Sequence, residues 1–81
     1  MRIIFSEEFK KEFKKIRIKD TRLKIIKQLK KLEPVPESGK PLRYNLKGHR
    51  TIRIVPFRII YRIEKESIII NCFDHRKDVY E

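Results

Sequence analysis

The chain has 81 residues, of which 40% are hydrophobic and 41% charged, and its 22 Lys and Arg against 11 Asp and Glu give a net charge of +11. Its length suits a single domain, and its apolar content excludes an intrinsically disordered chain. No apolar run suits a membrane span or a signal peptide, and a lone cysteine, Cys72, excludes an internal disulfide, so we expect a reduced, cytoplasmic protein without a membrane partner.

The first part of the chain predicts one strand followed by two helices. Residues 1–5 are mostly apolar, with β-branched Ile3 and Ile4, and Ser6 is expected to cap the first helix. That helix has one apolar face, formed by Phe9, Phe13 and Ile16. A second helix is expected to begin at a cap on Asp20 or Thr21 and to end before Pro34. Its apolar stripe consists of Leu23, Ile25, Ile26, Leu29 and Leu32.

After the proline-rich loop of residues 33–41, the spacing of the apolar residues changes from the helical period to a period of two residues, which is typical of strands. Four strands are expected, at residues 42–47, 50–55, 58–63 and 68–73, with a turn at Gly48. The predicted order is β-α-α-β-β-β-β. This is an α+β fold in which a helical hairpin packs on one face of a mainly antiparallel sheet, and it fills a single domain of residues 1–81.

Two-residue turns predict the register of the last two hairpins. A turn at Val55-Pro56 sets Arg53 opposite Arg58, and a turn at Lys65-Glu66 sets Ile59 opposite Cys72. One sheet face then collects apolar side chains, namely Ile52, Ile54, Ile59, Tyr61, Ile63, Ile68, Ile70 and Cys72. The other face is expected to point away from the helices and carries Thr51, Arg53, Arg58, Ile60, Arg62, Ile69, Asn71 and Phe73, with His75 just beyond it.

The most unusual part of the charge distribution is the segment 34–63, which has seven basic side chains and one acid. Like charges directly opposite each other on a sheet are destabilising, so we expect Arg53 and Arg58 to hold an anion between them. Together with Phe73, these two arginines are expected to form a platform for phosphate contacts and base stacking. Arg62 has acidic neighbours that can neutralise it. A thermophile's charged surface is the alternative explanation, and it suits the first third of the chain better than this segment.

The types of residue present restrict the chemistry. No carboxylate pair, glycine-rich phosphate loop or metal-ligand cluster stands out in the sequence, so we expect neither a metal nor a cofactor. Catalysis would then depend on Arg, Lys, His and Tyr side chains. Those groups suit phosphodiester cleavage by the 2′-hydroxyl of an RNA, which needs charge stabilisation and proton transfer. Cys72 is expected to be a small core residue.

Three motifs in the second half of the chain resemble those of the RelE branch of the RelE/ParE toxins. They are Leu46-Lys47-Gly48, the stretch from Arg53 to Tyr61, and Asp74-His75-Arg76-Lys77-Asp78-Val79-Tyr80. The resemblance implies a RelE-like fold and a ribosome-dependent endoribonuclease that cleaves messenger RNA. It also implies inhibition by a RelB-like antitoxin protein, so that the expected partners are this antitoxin, mRNA and the ribosome.

The resemblance further implies roles for individual residues. Arg58 would stabilise the scissile phosphate, Arg76 would assist the leaving oxygen, and Tyr80 would stack on or orient a substrate base. His75, in the same motif, joins them as a candidate catalytic residue. The expected RNA-binding residues are Lys47, Arg50, Arg53 and Phe73.

The identity of the general base stays open at this point. Thr51 and Arg53 stand where well-studied family members carry a pair of lysines, and an arginine stays protonated. Lys47 and His75 are the two remaining candidates. Two other functions are also open: inhibition of DNA gyrase, as by ParE-like members of the same fold, and RNA or ribosome binding without catalysis.

Overall fold

The computed structural model describes residues 1–75, in which two helices pack on one face of a five-stranded sheet. The strands are β1 (Arg2–Phe5), β2 (Lys40–Pro41), β3 (His49–Ile54), β4 (Phe57–Glu64) and β5 (Ser67–Phe73), and the helices are α1 (Glu7–Lys14) and α2 (Lys19–Lys30). The sheet order is β1-β5-β4-β3-β2, with β1 parallel to β5 and the other pairs antiparallel. The predicted fold class and element order are confirmed.

The hydrophobic core lies between the helices and the apolar face of the sheet. Its buried members are Phe9, Ile25, Leu29, Leu32, Ile54, Ile59, Tyr61, Ile68, Ile70 and Phe73. Ser6 caps α1 as predicted, because its hydroxyl oxygen accepts a hydrogen bond from the Phe9 N–H at 3.0 Å and its hydroxyl donates to the Asn71 carbonyl. The cap therefore ties the start of α1 to β5. Within residues 1–75, neither helix has the length and apolar character to span a membrane.

The start of α2 differs from the prediction. The helix begins at Lys19 with Ile18 in the cap position, which is two residues before Asp20, the nearer of the two expected caps. The guanidinium of Arg22 ties the two helices together, since it donates to the Lys14 carbonyl at the end of α1 and to the Ile16 carbonyl in the connection. Leu23 was expected on the apolar stripe but is 58% exposed, because helical spacing places it on the side away from the buried residues of α2.

The strand predicted at residues 42–47 is also wrong. Strand β2 comprises only Lys40–Pro41, after which the Leu42 N–H donates once more to the His49 carbonyl at 2.9 Å. Tyr44 then adopts a φ of +59° and Gly48 a φ of +94°, both left-handed values that break an extended strand. The alternating residues of this segment therefore form a 3₁₀ turn, and only the turn at Gly48 was predicted correctly.

The predicted register holds fully for one hairpin and partly for the other. Between β3 and β4, Arg53 pairs with Arg58 and Ile52 with Ile59, as expected. Between β4 and β5, the pairs Tyr61–Ile70 and Ile63–Ile68 are confirmed, but the register then shifts by one residue. Ile59 therefore pairs with Phe73, and Cys72 pairs with Ile60. The extra residue is Asn71 on β5, which makes this a β-bulge.

The bulge reverses the prediction for Phe73. This ring is 5% exposed and stacks on Phe9 with 5.0 Å between ring centroids, and it meets Phe57 edge to face at 5.4 Å. Phe73 therefore packs in the core and not on the outward sheet face where the sequence had placed it with the arginines. Cys72, expected in the core, is instead half-buried and lies outside the core cluster. Ile60, expected on the outward face, is only 5% exposed.

Candidate functional site

Arg53 and Arg58 form a pair of like charges across the β3–β4 hairpin. They are register partners on either side of the turn at Val55-Pro56. Alternation along β3 places Arg53 on the opposite face from Ile52 and Ile54, which pack towards the helices. Arg53 is exposed and Arg58 is half-buried. Because directly opposed Cβ atoms are about 4.5–5.5 Å apart, the two side chains start close together and concentrate positive charge at this end of the sheet.

A cleft of about 320 Å³ opens beside this pair. It is lined by Pro56, Phe57, Arg58, Phe73, Asp74 and His75. The Asp74 N–H donates to the Arg58 carbonyl at 2.8 Å, which keeps the end of β5 against the start of β4. Through this contact, Arg58 and His75 line the same cleft although they lie in different sequence motifs.

His75 is held by a residue that the sequence did not indicate. Its Nε2 atom lies 2.6 Å from the Glu12 Oε2 atom on α1. The His75 side chain is 72% exposed, whereas that of Glu12 is 28% exposed. An ionised carboxylate only accepts hydrogen bonds, so Nε2 carries the proton in this contact, and in the neutral ring Nδ1 keeps a lone pair. The pair therefore presents a histidine with a fixed proton position at the edge of the cleft.

Two other arginines are engaged in structural contacts. The Arg62 Nε atom donates to Glu64 at 3.1 Å and its Nη1 atom to the Asn71 side chain at 2.6 Å. The Arg50 Nη1 atom donates to the carbonyls of Glu37 and Gly39, both at 2.9 Å. Arg50 also lies on the opposite sheet face from Arg53, because the two are three positions apart in β3. The structure thus does not bring Arg50 to the arginine pair.

Lys47 lies at the other end of β3. It follows the 3₁₀ turn and precedes Gly48, whereas Arg53 is near the last residue of the strand. The four steps from His49 to Arg53 correspond to about 13 Å at the usual rise of a strand. Lys47 is therefore remote from the cleft that contains His75. Arg76 and Tyr80, the two remaining candidates, lie outside the described residues.

The Cys72 thiol is not activated. Burial and then the neighbouring Glu8 carboxylate raise the pKa of Cys72 to about 11, so the reactive thiolate is scarce near neutrality. Two acids on α1, Glu8 and Glu12, disfavour the thiolate, and Glu12 is also the residue that contacts His75. Cys72 is consequently a poor candidate for a nucleophile.

Comparison with known proteins identifies the family. A family model described as the ParE toxin of type II toxin–antitoxin systems, parDE, matches residues 3–80. The chain belongs to this family. Over 44 residues it is 43% identical to Toxin RelG of Mycobacterium tuberculosis, a match that covers 52% of this chain and 51% of RelG. The chain thus spans about half the length of the curated relative that it matches.

Solved structures support the same relationship. The toxin–antitoxin complex RelBE2 of Mycobacterium tuberculosis matches with a TM-score of 0.79 and 27% identity, covering 95% of this chain and 92% of that chain. A YoeB/ParE toxin from Agrobacterium tumefaciens matches with a TM-score of 0.80 and covers 95% of this chain and all of that chain, but at 16% identity it shows the fold alone. Membership of the RelE/ParE toxin superfamily is confirmed.

Proposed function

We propose that this chain is the toxin of a type II toxin–antitoxin pair and that it cleaves messenger RNA on translating ribosomes. The observation that carries the proposal is the cleft lined by Arg58 and His75, with Arg53 beside it. The arginines supply positive charge for a phosphate, and the histidine can transfer a proton, which are the groups that such a cleavage needs. The net charge of +11 also favours a polyanionic partner.

The proposed reaction is an attack of the RNA 2′-oxygen on the adjacent phosphorus. The 2′-hydroxyl loses its proton to a base as the new oxygen–phosphorus bond forms. The bond from phosphorus to the 5′-oxygen then breaks, and the leaving oxygen takes up a proton. One fragment ends in a 2′,3′-cyclic phosphate and the other begins with a 5′-hydroxyl. No protein residue forms a covalent bond to the RNA.

The roles of the described residues follow from their positions. Arg53 and Arg58 would stabilise the charge that develops on the phosphate, and such a donor contributes about 3–4 kcal/mol in other enzymes. His75 is the proposed base, because it lines the cleft whereas Lys47 lies beyond the opposite end of β3 from Arg53. Glu12 is a positioning residue, since by accepting a hydrogen bond from the Nε2–H it leaves Nδ1 of His75 to receive the proton of the 2′-hydroxyl.

The resemblance to RelE-like toxins supports two further assignments in the last motif. Arg76 would assist the leaving oxygen and Tyr80 would stack on a substrate base. We expect Arg76→Ala to lower the cleavage rate by about 10²–10³. Tyr80→Ala should weaken cleavage by an amount equivalent to about 1–3 kcal/mol of stacking.

The proposed protein partner is a RelB-like antitoxin, and the relationship to the RelBE2 complex supports it. An acidic segment of that antitoxin would neutralise the Arg53–Arg58 pair or block access to the ribosome. Ile60 cannot contribute an apolar contact, because it is 5% exposed. The apolar side chains available on that face are Ile4, which is 38% exposed, and its half-buried register partner Ile69.

A pair of matched charge variants tests the site. Arg53→Gln removes one positive charge from the proposed site, and Arg17→Gln removes one from an exposed position between the helices. We expect Arg53→Gln to reduce cleavage at least tenfold with an unchanged or higher Tm, because it also relieves repulsion from Arg58. The plot of log RNA affinity against log salt concentration should also become shallower, with a slope smaller by ~0.7, the value for one lost contact to a single-strand phosphate. Equal effects of the two variants would count against the site.

A second pair of variants tests the Glu12–His75 contact. His75→Ala should reduce the rate by about 10²–10⁴, as the loss of a general base does. Glu12→Ala should reduce the rate less, because the histidine keeps its ring but loses the acceptor that orients its Nε2–H. Glu7→Ala on the same helix is the control, since Glu7 pairs with Lys10 and not with His75. A cleavage rate in Glu12→Ala equal to that of Glu7→Ala would remove Glu12 from the mechanism.

Inhibition of DNA gyrase is the second candidate function, because the family description that matches the chain carries the ParE name. Expression in cells distinguishes the two functions. The nuclease proposal predicts cut messages without gyrase–DNA breaks, and loss of toxicity in His75→Ala. Gyrase–DNA breaks together with intact messages would establish the alternative, and RNA binding without either kind of damage would indicate a non-catalytic module.

A further inference from the structure

Tyr44 combines an exposed aromatic ring with an unfavourable backbone conformation. The residue is 90% exposed, so the ring packs against almost nothing in the protein. Its φ of +59° lies in the left-handed region, which residues other than Gly, Asn and Asp rarely adopt. A bulky side chain at such a position gains nothing from packing and costs stability. Residues held in this way are concentrated at functional sites, which makes Tyr44 a candidate for one.

The surroundings of Tyr44 indicate the chemistry of its ligand. The 3₁₀ turn is bordered by Arg43 and Lys47, both exposed, and backbone hydrogen bonds close it from the Leu46 N–H to the Arg43 carbonyl and from the Lys47 N–H to the Tyr44 carbonyl. No acidic residue occurs between Glu37 and Glu64 in the sequence. Cations beside an exposed aromatic ring are the combination that binds single-stranded nucleic acid, with the ring stacking on a base and the cations contacting phosphates.

We propose that the turn formed by Arg43, Tyr44 and Lys47 is a second RNA-binding site, in which a base stacks on the Tyr44 ring. This inference rests on the proposed function, because it takes RNA as the ligand. The turn precedes β3 and the Arg53–Arg58 pair is at the far end of that strand, so the two sites are more than 13 Å apart by the usual rise of about 3.3 Å per residue. An RNA strand that contacts both sites spans more than one nucleotide, so the Tyr44 site binds RNA away from the cleaved bond.

Three variants of Tyr44 separate stacking from stability. Tyr44→Asn removes the ring and places a residue that tolerates positive φ, so it should raise the Tm by about 4 °C or more. Tyr44→Ala also removes the ring, but alanine does not tolerate a positive φ as asparagine does. Tyr44→Phe keeps the ring and serves as the conservative control. RNA affinity should fall about tenfold in the Asn and Ala variants and stay unchanged in the Phe variant.

The measurement is the fluorescence anisotropy of a labelled oligoadenylate whose riboses are all 2′-O-methylated, so that the RNA cannot be cleaved. A matching oligonucleotide without bases should bind wild type and Tyr44→Asn equally, because no stacking is possible. Unchanged oligoadenylate affinity in Tyr44→Asn would overturn the inference, as would an equal loss on the baseless oligonucleotide or a lower Tm. Loss of affinity for the antitoxin alone would assign the turn to a protein partner and would also overturn it.

The same experiment separates this inference from the proposed function. If Tyr44→Asn binds oligoadenylate as wild type does while Arg53→Gln binds it weakly, only the Tyr44 site is wrong. If wild type binds no oligoadenylate and cuts no message, the proposed function fails and the Tyr44 site fails with it.

Discussion

The hydroxyl of Tyr61 should contribute more to stability than any other phenol in residues 1–75. It donates to the Pro36 carbonyl at 2.7 Å and accepts from the buried Gly39 N–H at 2.9 Å, and burial raises the pKa of Tyr61 so that the proton stays in place. Tyr61→Phe leaves the Gly39 N–H buried without an acceptor, which costs about 1–3 kcal/mol, and loses a second bond worth about 1 kcal/mol. We expect a total loss of about 2–4 kcal/mol in the free energy of unfolding.

That loss is large for a chain of 81 residues, whose total stability is about 4–12 kcal/mol at the usual 0.05–0.15 kcal/mol per residue. Thermal unfolding followed by circular dichroism should show a Tm lower by roughly 10–20 °C. Tyr44→Phe is the matched control, because it makes the same chemical change in a side chain that is 90% exposed, and its Tm should stay within a few degrees of wild type. If Tyr61→Phe melted with the wild type, the assignment of this hydroxyl as the anchor of the 36–39 loop would be wrong.

Three further predictions concern packing, capping and ionisation. Gly39→Ala should destabilise the fold, because an added Cβ would lie 2.5 Å from the Tyr61 hydroxyl and 2.9 Å from the Thr51 carbonyl; urea unfolding measures the loss. Ser6→Ala should cost about 1 kcal/mol in the same assay, since it removes the cap of α1. Alkylation of Cys72 in the folded protein should accelerate with a midpoint near pH 11 instead of 9.0, and Glu8→Ala should lower that midpoint. Because the unfolded chain loses the thiol proton first, stability should fall as the pH rises from 9 to 11, and a pH-independent stability in that window would contradict the assignment.

The sequence was sufficient where a local rule determined the structure. A two-residue turn allows one register, and alternation along β3 then decides which side chains share a face, so the opposition of Arg53 and Arg58 was predicted correctly. Ser6 was also identified correctly, because a hydroxyl before two acidic residues and an apolar stripe is a strong cap signal.

The bulge at Asn71 could have been suspected from the same pattern. After Ile68 and Ile70, strict alternation would bury Cys72 and expose Phe73, although the phenylalanine has much more apolar surface to bury. An extra residue at Asn71 places Phe73 on the core side, where it stacks on Phe9. The available signal was that Phe73, the most apolar residue of this stretch, does not follow the two-residue alternation of Ile68 and Ile70.

Long-range contacts were beyond prediction. The Glu12–His75 contact joins residues 63 positions apart, and no local pattern marks one glutamate of α1 as different from its neighbours. The exposed position of Tyr44 could not be predicted either, because it follows from the backbone conformation of its segment. Its segment alternates like a strand, and only the left-handed φ values of Tyr44 and Gly48 show that it is a turn.

The central claim is that an RNA 2′-hydroxyl is the nucleophile and that the Arg58–His75 cleft assists its attack. The most direct measurement uses translating ribosomes programmed with a message that carries one 2′-deoxynucleotide on the 5′ side of the bond that is cut in the all-ribose message. We predict that the purified wild-type protein cuts the all-ribose message to a 2′,3′-cyclic phosphate end and leaves the substituted bond intact. Cleavage of the substituted bond at the normal rate would contradict the account.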